Sequence, residues 1–258
     1  TGVYEGVKDA KNGAVLGQPD FYMSYVGFKL GKYDKEKGES VVDPNAKAAD
    51  VRVRQAFGYA VDWDQINEKI YKGLRFTATD SGIYPPRRGP MFYNKDGKKF
   101  TKDVEKAKKL LDDAGYKDVD GDGIREDKEG KPLKINLAMM SGSEIQEPLS
   151  QYYIQQWKSI GLNVELVDGR LLDFNNFYDR LKADDPAIDC FFAAFGYGTD
   201  PQQMSLFGKN SQFNKARYTS ETFEKALEAQ ISPKALDEAK RIEIYHNYDK
   251  IFMEELPV

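Results

Sequence analysis

Residues 188–195 read Ile-Asp-Cys-Phe-Phe-Ala-Ala-Phe, a run in which Asp189 is the only polar side chain. Side chains alternate between the two faces of a sheet, so a strand that is apolar at nearly every position is typical of a sheet covered on both faces. Gly196 and Gly198 follow the run, and glycine is frequent in loops. The segment therefore predicts a buried strand that ends in a glycine-containing loop.

Strand and helix patterns alternate on either side of this run. The content of aromatic and β-branched residues, or the alternation of apolar and polar residues, predicts strands at 20–30, 133–139 and 163–167. Apolar residues at helical spacing predict helices that start at Asp50, Asp62, Thr101 and Ser143, and others at 174–181, 220–230 and 232–255. Residues 31–49 are polar and predict a loop. The alternation predicts an α/β fold, a mixed β-sheet flanked by helices.

The composition excludes several kinds of function. Lys and Arg total 38 against 42 for Asp and Glu, a net charge of −4, which disfavours binding to the phosphate backbone of nucleic acid. One cysteine, Cys190, and one histidine, His246, exclude an intrachain disulfide, a cysteine-rich zinc site and a two-histidine metal site. No apolar run reaches the roughly 18 residues of a membrane-spanning helix.

Residues 118–129 form an acidic, glycine-containing segment. It matches the twelve-residue calcium loop at its first, third, fifth, sixth, ninth and twelfth positions. Calcium prefers six to eight oxygen ligands, and the candidate ligands are Asp118, Asp120, Asp122, the carbonyl of Ile124, Glu126 and Glu129. A solvated turn is the alternative, because Asp-Gly pairs are common in turns and the chain continues into a strand. The sequence thus predicts no cofactor that the function requires. A structural Ca²⁺ is the one bound ion that it suggests.

Four segments, in order, resemble one family. They are DVRVRQAFGYAVD at 50–62, EKAKKLLDDAGY at 105–116, QQWKSIGLNVE at 155–165, and FGYGTDP at 195–201 followed by NKARY at 214–218. The chain is similar in these segments to the oligopeptide-binding (family 5) extracellular solute-binding proteins of ABC importers. The resemblance extends from about residue 20 to the last residue.

The resemblance implies an architecture and a function. It implies a periplasmic-binding-protein-like (type II) lobe, with residues 1–19 as a lead-in from the preceding lobe and 20–258 as the C-terminal ligand-binding lobe of a longer two-lobed protein. Such a protein captures oligopeptides between closing lobes and delivers them to the permease subunits of the importer. The resemblance also implies an exported monomer, either a cell-surface lipoprotein held by a lipid anchor or a periplasmic protein, with no nucleic-acid partner.

The resemblance also assigns ligand-binding residues. In the family, the loop after the buried strand meets the peptide backbone, and here that loop contains Phe195, Gly196, Tyr197, Gly198, Thr199 and Asp200. Many members carry an aspartate four residues before the proline of this loop, which pairs with the peptide amine. This sequence has Tyr197 there, which favours a cleft tolerant of longer peptides. Asp200 serves either the ligand or a turn before the proline.

Other candidate ligand contacts lie outside this loop. They are Asn214, Arg217 and Tyr218, which precede a predicted helix, and Tyr25 near the end of the first predicted strand. Arg217 suits a peptide carbonyl or carboxylate, but it suits equally well a contact that holds its loop against the helix. Arg52 and Arg54 flank an apolar helix stripe, and we expect both to serve the scaffold.

Two alternatives to a peptide receptor remain open. The same architecture carries a metal chelate, haem or an oligosaccharide in some family members, although a single histidine disfavours direct nickel ligation. A carboxylate-dependent hydrolase is the other alternative, but the acidic residues are spread along predicted helix faces with no recognisable acid/base pair. We therefore expect a binding protein and not an enzyme.

Overall fold

The computed structural model of the chain contains a mixed sheet covered by helices. It describes residues 2–17, 22–75, 81–82, 91–94, 96–127, 129–196, 198 and 200–258. The strands of this described part are β1 (Tyr22–Phe28), β2 (Gly31–Asp34), β3 (Glu39–Val42), β4 (Lys134–Ala138), β5 (Asn163–Leu166) and β6 (Cys190–Gly196). The helices are α1 (Gly2–Val7), α2 (Val51–Ala60), α3 (Trp63–Lys69), α4 (Val104–Ala114), α5 (Gln146–Lys158), α6 (Phe174–Lys182), α7 (Met204–Phe207), α8 (Glu221–Gln230) and α9 (Glu238–Glu255). Within these residues, no helix combines the length and apolar character needed to cross a membrane.

The main sheet has the strand order β1–β6–β4–β5. Strand β4 pairs in parallel with β5 and with β6, whereas β1 runs antiparallel to β6, with Tyr22 opposite Gly196 and Phe28 opposite Cys190. The carboxyl ends of β4, β5 and β6 and the start of β1 therefore lie together. We call this the carboxyl end of the sheet, and the other the amino end.

Strand β6 is buried on both faces, as predicted. Phe191 and Ala193 pack into a cluster with α6, while Cys190 and Phe192 pack into a larger one with α2 and α5. Each buried phenylalanine contributes roughly 1.5–3 kcal/mol relative to an exposed one. This double burial fixes the position and direction of the strand, and hence the point at which its following loop leaves the sheet.

Local sequence signals account for most helix ends. The predicted capping residues Asp50, Asp62 and Ser220 each accept a backbone N–H from the first turn of α2, α3 and α8. Gly115 ends α4 with a φ of 95°, a left-handed conformation that glycine adopts without strain. These ends depend only on neighbouring residues, which is why the sequence predicts them.

Three helices begin later than predicted. Helix α4 is capped by Asp103 rather than Thr101, and α9 is capped by Asp237, so the residues after Ser232 form a separate 3₁₀ helix. Helix α5 starts after Ile145 without a side-chain cap, in place of the predicted capping box. In α4 and α9 the aspartate carboxylate accepts a backbone N–H of the first turn. In both helices, therefore, an aspartate that lies after the predicted start determines where the helix begins.

The segment 31–49, predicted as a loop, contains the β2–β3 hairpin. Tyr33 is paired with Ser40 across the hairpin. A Cβ atom at Gly31 would lie 2.1 Å from the carbonyl oxygen of Val41, so this pairing needs a glycine. The segment lacks the alternation of apolar and polar residues that marks a strand, and this explains why the prediction was wrong.

Arg54 ties the start of α2 to the end of α9. It is 3% exposed, and its guanidinium donates to the carbonyl oxygens of Leu256 (2.7 Å), Glu255 (2.5 Å), Ala48 (2.6 Å) and Ala49 (2.8 Å). Burial lowers the pKa of Arg54 to about 10, so the side chain is charged at neutral pH. The contacts support the expected scaffold role.

We predict that Arg54→Met lowers the free energy of unfolding by at least about 3 kcal/mol, because it leaves several carbonyl oxygens without their charged donor. Arg52→Met is the matched control. Arg52 pairs with Asp50 in a partly exposed position, so we expect a loss of about 1 kcal/mol or less. Urea unfolding followed by circular dichroism measures both. Equal losses would contradict the role given to Arg54.

Candidate functional site

The loop after β6 leaves the carboxyl end of the sheet and is exposed. Phe195 is buried, whereas Gly196, Gly198 and Asp200 are exposed; Tyr197 and Thr199 lie outside the described residues. In open α/β sheets, ligands bind at the carboxyl ends of the strands. The structure thus places the described part of this predicted ligand-binding loop at a surface suited to binding.

Aromatic rings support the base of the loop. The ring of Tyr25 stacks on that of Phe195, with centroids 4.6 Å apart and planes 15° apart, and Phe207 of α7 meets Phe195 edge-on at 5.4 Å. Such pairs contribute about 0.5–1.5 kcal/mol beyond burial. Tyr25 is half-buried in this stack. Its ring therefore fixes Phe195, whatever it also offers to a ligand.

A buried glutamine anchors the far end of the loop. The backbone N–H of Gln203 donates to Oε1 of Gln230 in α8 (2.8 Å), and its Nε2 donates to the carbonyl of Gly82 (3.3 Å). The Tyr248 hydroxyl of α9 donates to Oε1 of Gln203 at 3.2 Å. Gln203 is 0% exposed. The exposed loop is thus held at both ends.

Asp200 has partners within the chain. Its Oδ1 accepts the backbone N–H of Gln202 at 2.9 Å and a hydrogen bond from Nη2 of Arg241 at 3.0 Å. The first contact is the turn-capping role considered above. A ligand amine that paired with Asp200 would have to compete with Arg241.

Asn214 and Tyr218 are packed into the scaffold. Asn214 is 1% exposed, and its Nδ2 donates to the carbonyls of Phe207 (3.0 Å) and Tyr218 (2.8 Å). The Tyr218 hydroxyl donates to Oε2 of Glu255 at 2.7 Å. Burial, followed by this hydrogen bond, raises the pKa of Tyr218 to about 12. The structure does not bring these two side chains to the exposed loop.

Arg217 belongs to a buried charge cluster. It is 0% exposed, and its Nε donates to Oδ1 of Asp184 at 2.7 Å. Lys29 also donates to this carboxylate, and the backbone N–H of Tyr33 donates to its other oxygen at 2.7 Å. These contacts favour a scaffold role for Arg217 over peptide binding. They hold its loop against Asp184, which follows α6, and not against the helix that follows the loop.

Exposed aromatic side chains lie at the same end of the sheet, and the sequence analysis missed them. Tyr22 is 51% exposed and pairs with Gly196, and Phe174 is 65% exposed. Phe174 packs on Tyr178 with ring centroids 4.8 Å apart. The signal was an aromatic pair one helical turn apart at the start of α6, of which Tyr178 packs against the apolar cluster while Phe174 is exposed. These rings offer apolar surface beside the loop.

In the acidic segment 118–129, three predicted metal ligands converge. Asp118, Asp120 and Glu126 each place a carboxylate oxygen within 4.8 Å of the others. Asp118 and Asp120 are exposed, and Glu126 is buried. No other cluster of three metal-ligating side chains occurs in the part of the chain that the structure describes.

Asp122 and Glu129, the other predicted carboxylate ligands, are not part of this cluster. Oδ1 of Asp122 accepts the backbone N–H of Ile124 at 2.7 Å. Glu129 is exposed and forms an ion pair with Lys131 at 2.7 Å. Glu126, at the ninth position of the loop, therefore joins Asp118 and Asp120, whereas Glu129, at the twelfth position, does not.

The chain matches one family model along most of its length. Residues 2–215 match the family described as bacterial extracellular solute-binding proteins, family 5 (middle). The chain belongs to this family. The resemblance of the four segments is thereby confirmed, and the description of family 5 as extracellular supports an exported protein.

Family 5 relatives differ in the solutes for which they are named. The oligopeptide-binding protein OppA of Lactococcus lactis subsp. lactis (strain IL1403) is 34% identical over 250 residues, 96% of this chain and 41% of the relative. The periplasmic alpha-galactoside-binding protein of Rhizobium meliloti (strain 1021) is 30% identical over 192 residues, 68% of this chain and 27% of the relative. The chain thus spans less than half of each.

A solved structure of lactococcal OppA, complexed with an endogenous peptide in the closed conformation, superposes on this chain with a TM-score of 0.90. The two are 31% identical, and the match covers 98% of this chain and 47% of the other. The predicted fold, periplasmic-binding-protein-like with a mixed sheet flanked by helices, is confirmed. The proteins matched here are named for binding, not for catalysis.

We predict that the buried Lys29 makes stability depend on pH. Burial, opposed by the Asp184 contact, lowers the pKa of Lys29 from 10.5 to about 8. Between these values the unfolded chain keeps a proton that the folded chain has lost, so the free energy of unfolding gains a contribution as pH rises from about 8.

Urea unfolding of the wild type and of Lys29→Met from about pH 8 to pH 10.5, the two limits of this pKa interval, checks this. The groups common to both proteins cancel in the difference. We expect the wild type to gain stability relative to the variant across the interval. Parallel profiles would contradict the prediction.

Proposed function

We propose that this chain is the C-terminal ligand-binding part of an ABC importer's solute receptor, which captures oligopeptides between two closing lobes. One observation carries the proposal: the loop after the doubly buried β6 is exposed at Gly196, Gly198 and Asp200 yet anchored at both ends. The peptide complex of lactococcal OppA and the name of the Lactococcus lactis relative support the ligand class.

Glycines give such a loop access to a ligand's main chain. A Cβ atom at Gly198 would meet only the backbone nitrogen of Asp200, at 4.0 Å, so the glycine is not required by packing within the described chain. Its absent side chain leaves room for a second backbone to approach. Main-chain hydrogen bonds are independent of ligand side chains, which suits a receptor for peptides of varied sequence.

The loop does not favour recognition of a free peptide amine. Tyr197 replaces the aspartate that many family members use for the amine, and Asp200 is already paired with Arg241. A peptide whose amino terminus is not fixed can extend beyond the loop. We therefore propose a preference for longer peptides without a requirement for a free amino terminus.

The remaining parts of the proposal follow from family membership. The protein is exported, either as a lipid-anchored cell-surface protein or into the periplasm, and it acts as a monomer that docks on permease subunits. It makes and breaks no covalent bond in its ligand, and it has no nucleic-acid partner, in keeping with a net charge of −4. The domain division at residues 19 and 20 is part of this proposal.

An oligosaccharide is the second candidate ligand. The exposed rings of Tyr22 and Phe174 at the carboxyl end of the sheet provide apolar surfaces on which a sugar ring can pack. The name of the Rhizobium meliloti relative supports this class. Titration of the full-length protein with galactosides and with a pool of peptides separates the candidates, and we expect saturable heat with peptides alone.

We predict that Gly198→Val weakens peptide binding at least about tenfold, equivalent to about 1.4 kcal/mol, because the added methyl groups occupy the space into which the ligand backbone comes. Isothermal titration of the full-length protein with a peptide mixture measures this. The melting temperature should stay within about 2 °C of the wild type, since the site has room for a Cβ atom.

Lys134→Val is the control, because Lys134 begins β4 at the amino end of the sheet and is exposed. Its peptide affinity should match that of the wild type. Unchanged binding by Gly198→Val would show that the ligand does not approach this loop closely, which would exclude the proposed site.

We also predict that a peptide with an acetylated amino terminus binds within about threefold of the free peptide, because the described carboxylate of the loop, Asp200, is already paired with Arg241. Competition between the two forms, followed by intrinsic tyrosine and tryptophan fluorescence, measures the ratio. A loss of tenfold or more, about 1.4 kcal/mol, on acetylation would show that the amine is recognised.

A further inference from the structure

The acidic segment forms a closed loop at the amino end of the sheet. Lys117 and Glu126 pair through two backbone hydrogen bonds, from Lys117 N to Glu126 O (3.2 Å) and from Glu126 N to Lys117 O (2.9 Å). Strand β4 begins shortly afterwards at Lys134. Since the proposed peptide site is at the carboxyl ends of β4 and β6, the loop is at the opposite end of the sheet.

The separation of the three carboxylates fits a single calcium ion. Oxygens of Asp118, Asp120 and Glu126 all lie within 4.8 Å of one another. Two oxygens bound to one Ca²⁺ at about 2.4 Å can be up to twice that distance apart. Three carboxylates this close repel one another, and a divalent cation between them removes that cost.

The buried Glu126 supplies an independent indication. The residue is 3% exposed, and its Oε2 accepts the backbone N–H of Val119 at 2.8 Å. Its Oε1 is buried and has no hydrogen-bond partner among the described residues. Burying a carboxylate oxygen without a partner is unfavourable, and metal coordination is a standard way in which proteins satisfy such a group.

We propose that Asp118, Asp120 and Glu126 bind one Ca²⁺. The donors are all oxygens, which excludes the nitrogen and sulfur ligands that zinc prefers. Mg²⁺ demands a near-ideal octahedron at about 2.0–2.1 Å, whereas Ca²⁺ accepts irregular sites completed by water. Asp118 and Asp120 are exposed, so water can fill the remaining positions.

The ion would stabilise a junction of the scaffold. Arg125, next to Glu126, donates to Oδ1 of Asp112 at 2.5 Å, to the carbonyl of Tyr116 at 2.7 Å and to that of Ile160 at 2.8 Å. These bonds join the end of α4 to the turn after α5. Calcium at this loop therefore acts on stability and not on peptide contacts, and the proposal is independent of the proposed function.

Calorimetric titration of the chelator-treated chain with CaCl₂ tests the site. We expect one ion to bind with a Kd of about 0.1–1 mM, as in other extracellular modules, and Mg²⁺ to bind at least about tenfold more weakly. With Ca²⁺ at about ten times Kd, the melting temperature should rise by about 3–5 °C. The absence of saturable heat up to about 10 mM would overturn the proposal.

Variants separate this ligand set from that of a standard calcium loop. Asp120→Asn keeps an oxygen for the backbone N–H of Asp122, and we expect it to weaken Ca²⁺ binding at least about tenfold. Glu129→Gln is the matched control, because Glu129 pairs with Lys131 outside the cluster. Its Kd should stay within about threefold of the wild type. A loss in the control equal to that in Asp120→Asn would overturn the proposed ligands.

Discussion

The burial of β6 on both faces is the constraint on which the rest of the structure depends. Its side chains enter two separate apolar clusters, one with α6 and one with α2 and α5. A strand held in this way has no freedom to slip, because a shift of one residue exchanges the faces of every side chain. Its carboxyl end, and with it the exposed glycine loop, is fixed relative to the sheet.

The described acidic residue of the exposed loop serves the scaffold, because Asp200 is paired with Arg241 at the surface. The buried cluster of Asp184, Lys29 and Arg217 lies at the opposite end of β6, where Lys29 follows the end of β1. At Gly196 and Gly198 the exposed loop presents backbone atoms, and not side chains, to a ligand. A surface of this kind distinguishes an extended backbone from other shapes but discriminates little among side chains. That chemistry is what a receptor for varied peptides needs.

The sequence could predict the features that depend on neighbouring residues. The double burial of β6, the caps of α2, α3 and α8, and the family resemblance all follow from short segments. The β2–β3 hairpin could not be predicted, because its short strands lack an alternating pattern of apolar and polar residues. The role of Arg217 was also hidden, because its partner Asp184 lies 33 residues away in the chain. The sequence also could not show that Glu126, rather than Glu129, lies beside Asp118 and Asp120. This arrangement depends on the backbone pairing of Lys117 with Glu126, which closes the loop.

Amide hydrogen exchange of the full-length protein, with and without a saturating peptide mixture, tests most directly whether the loop after β6 meets the ligand. Protection should appear in the peptide fragments that span residues 196–200 and remain unchanged in those that span 118–126, at the other end of the sheet. Unaltered exchange at 196–200 when the protein is saturated with peptide would contradict a binding site at this loop.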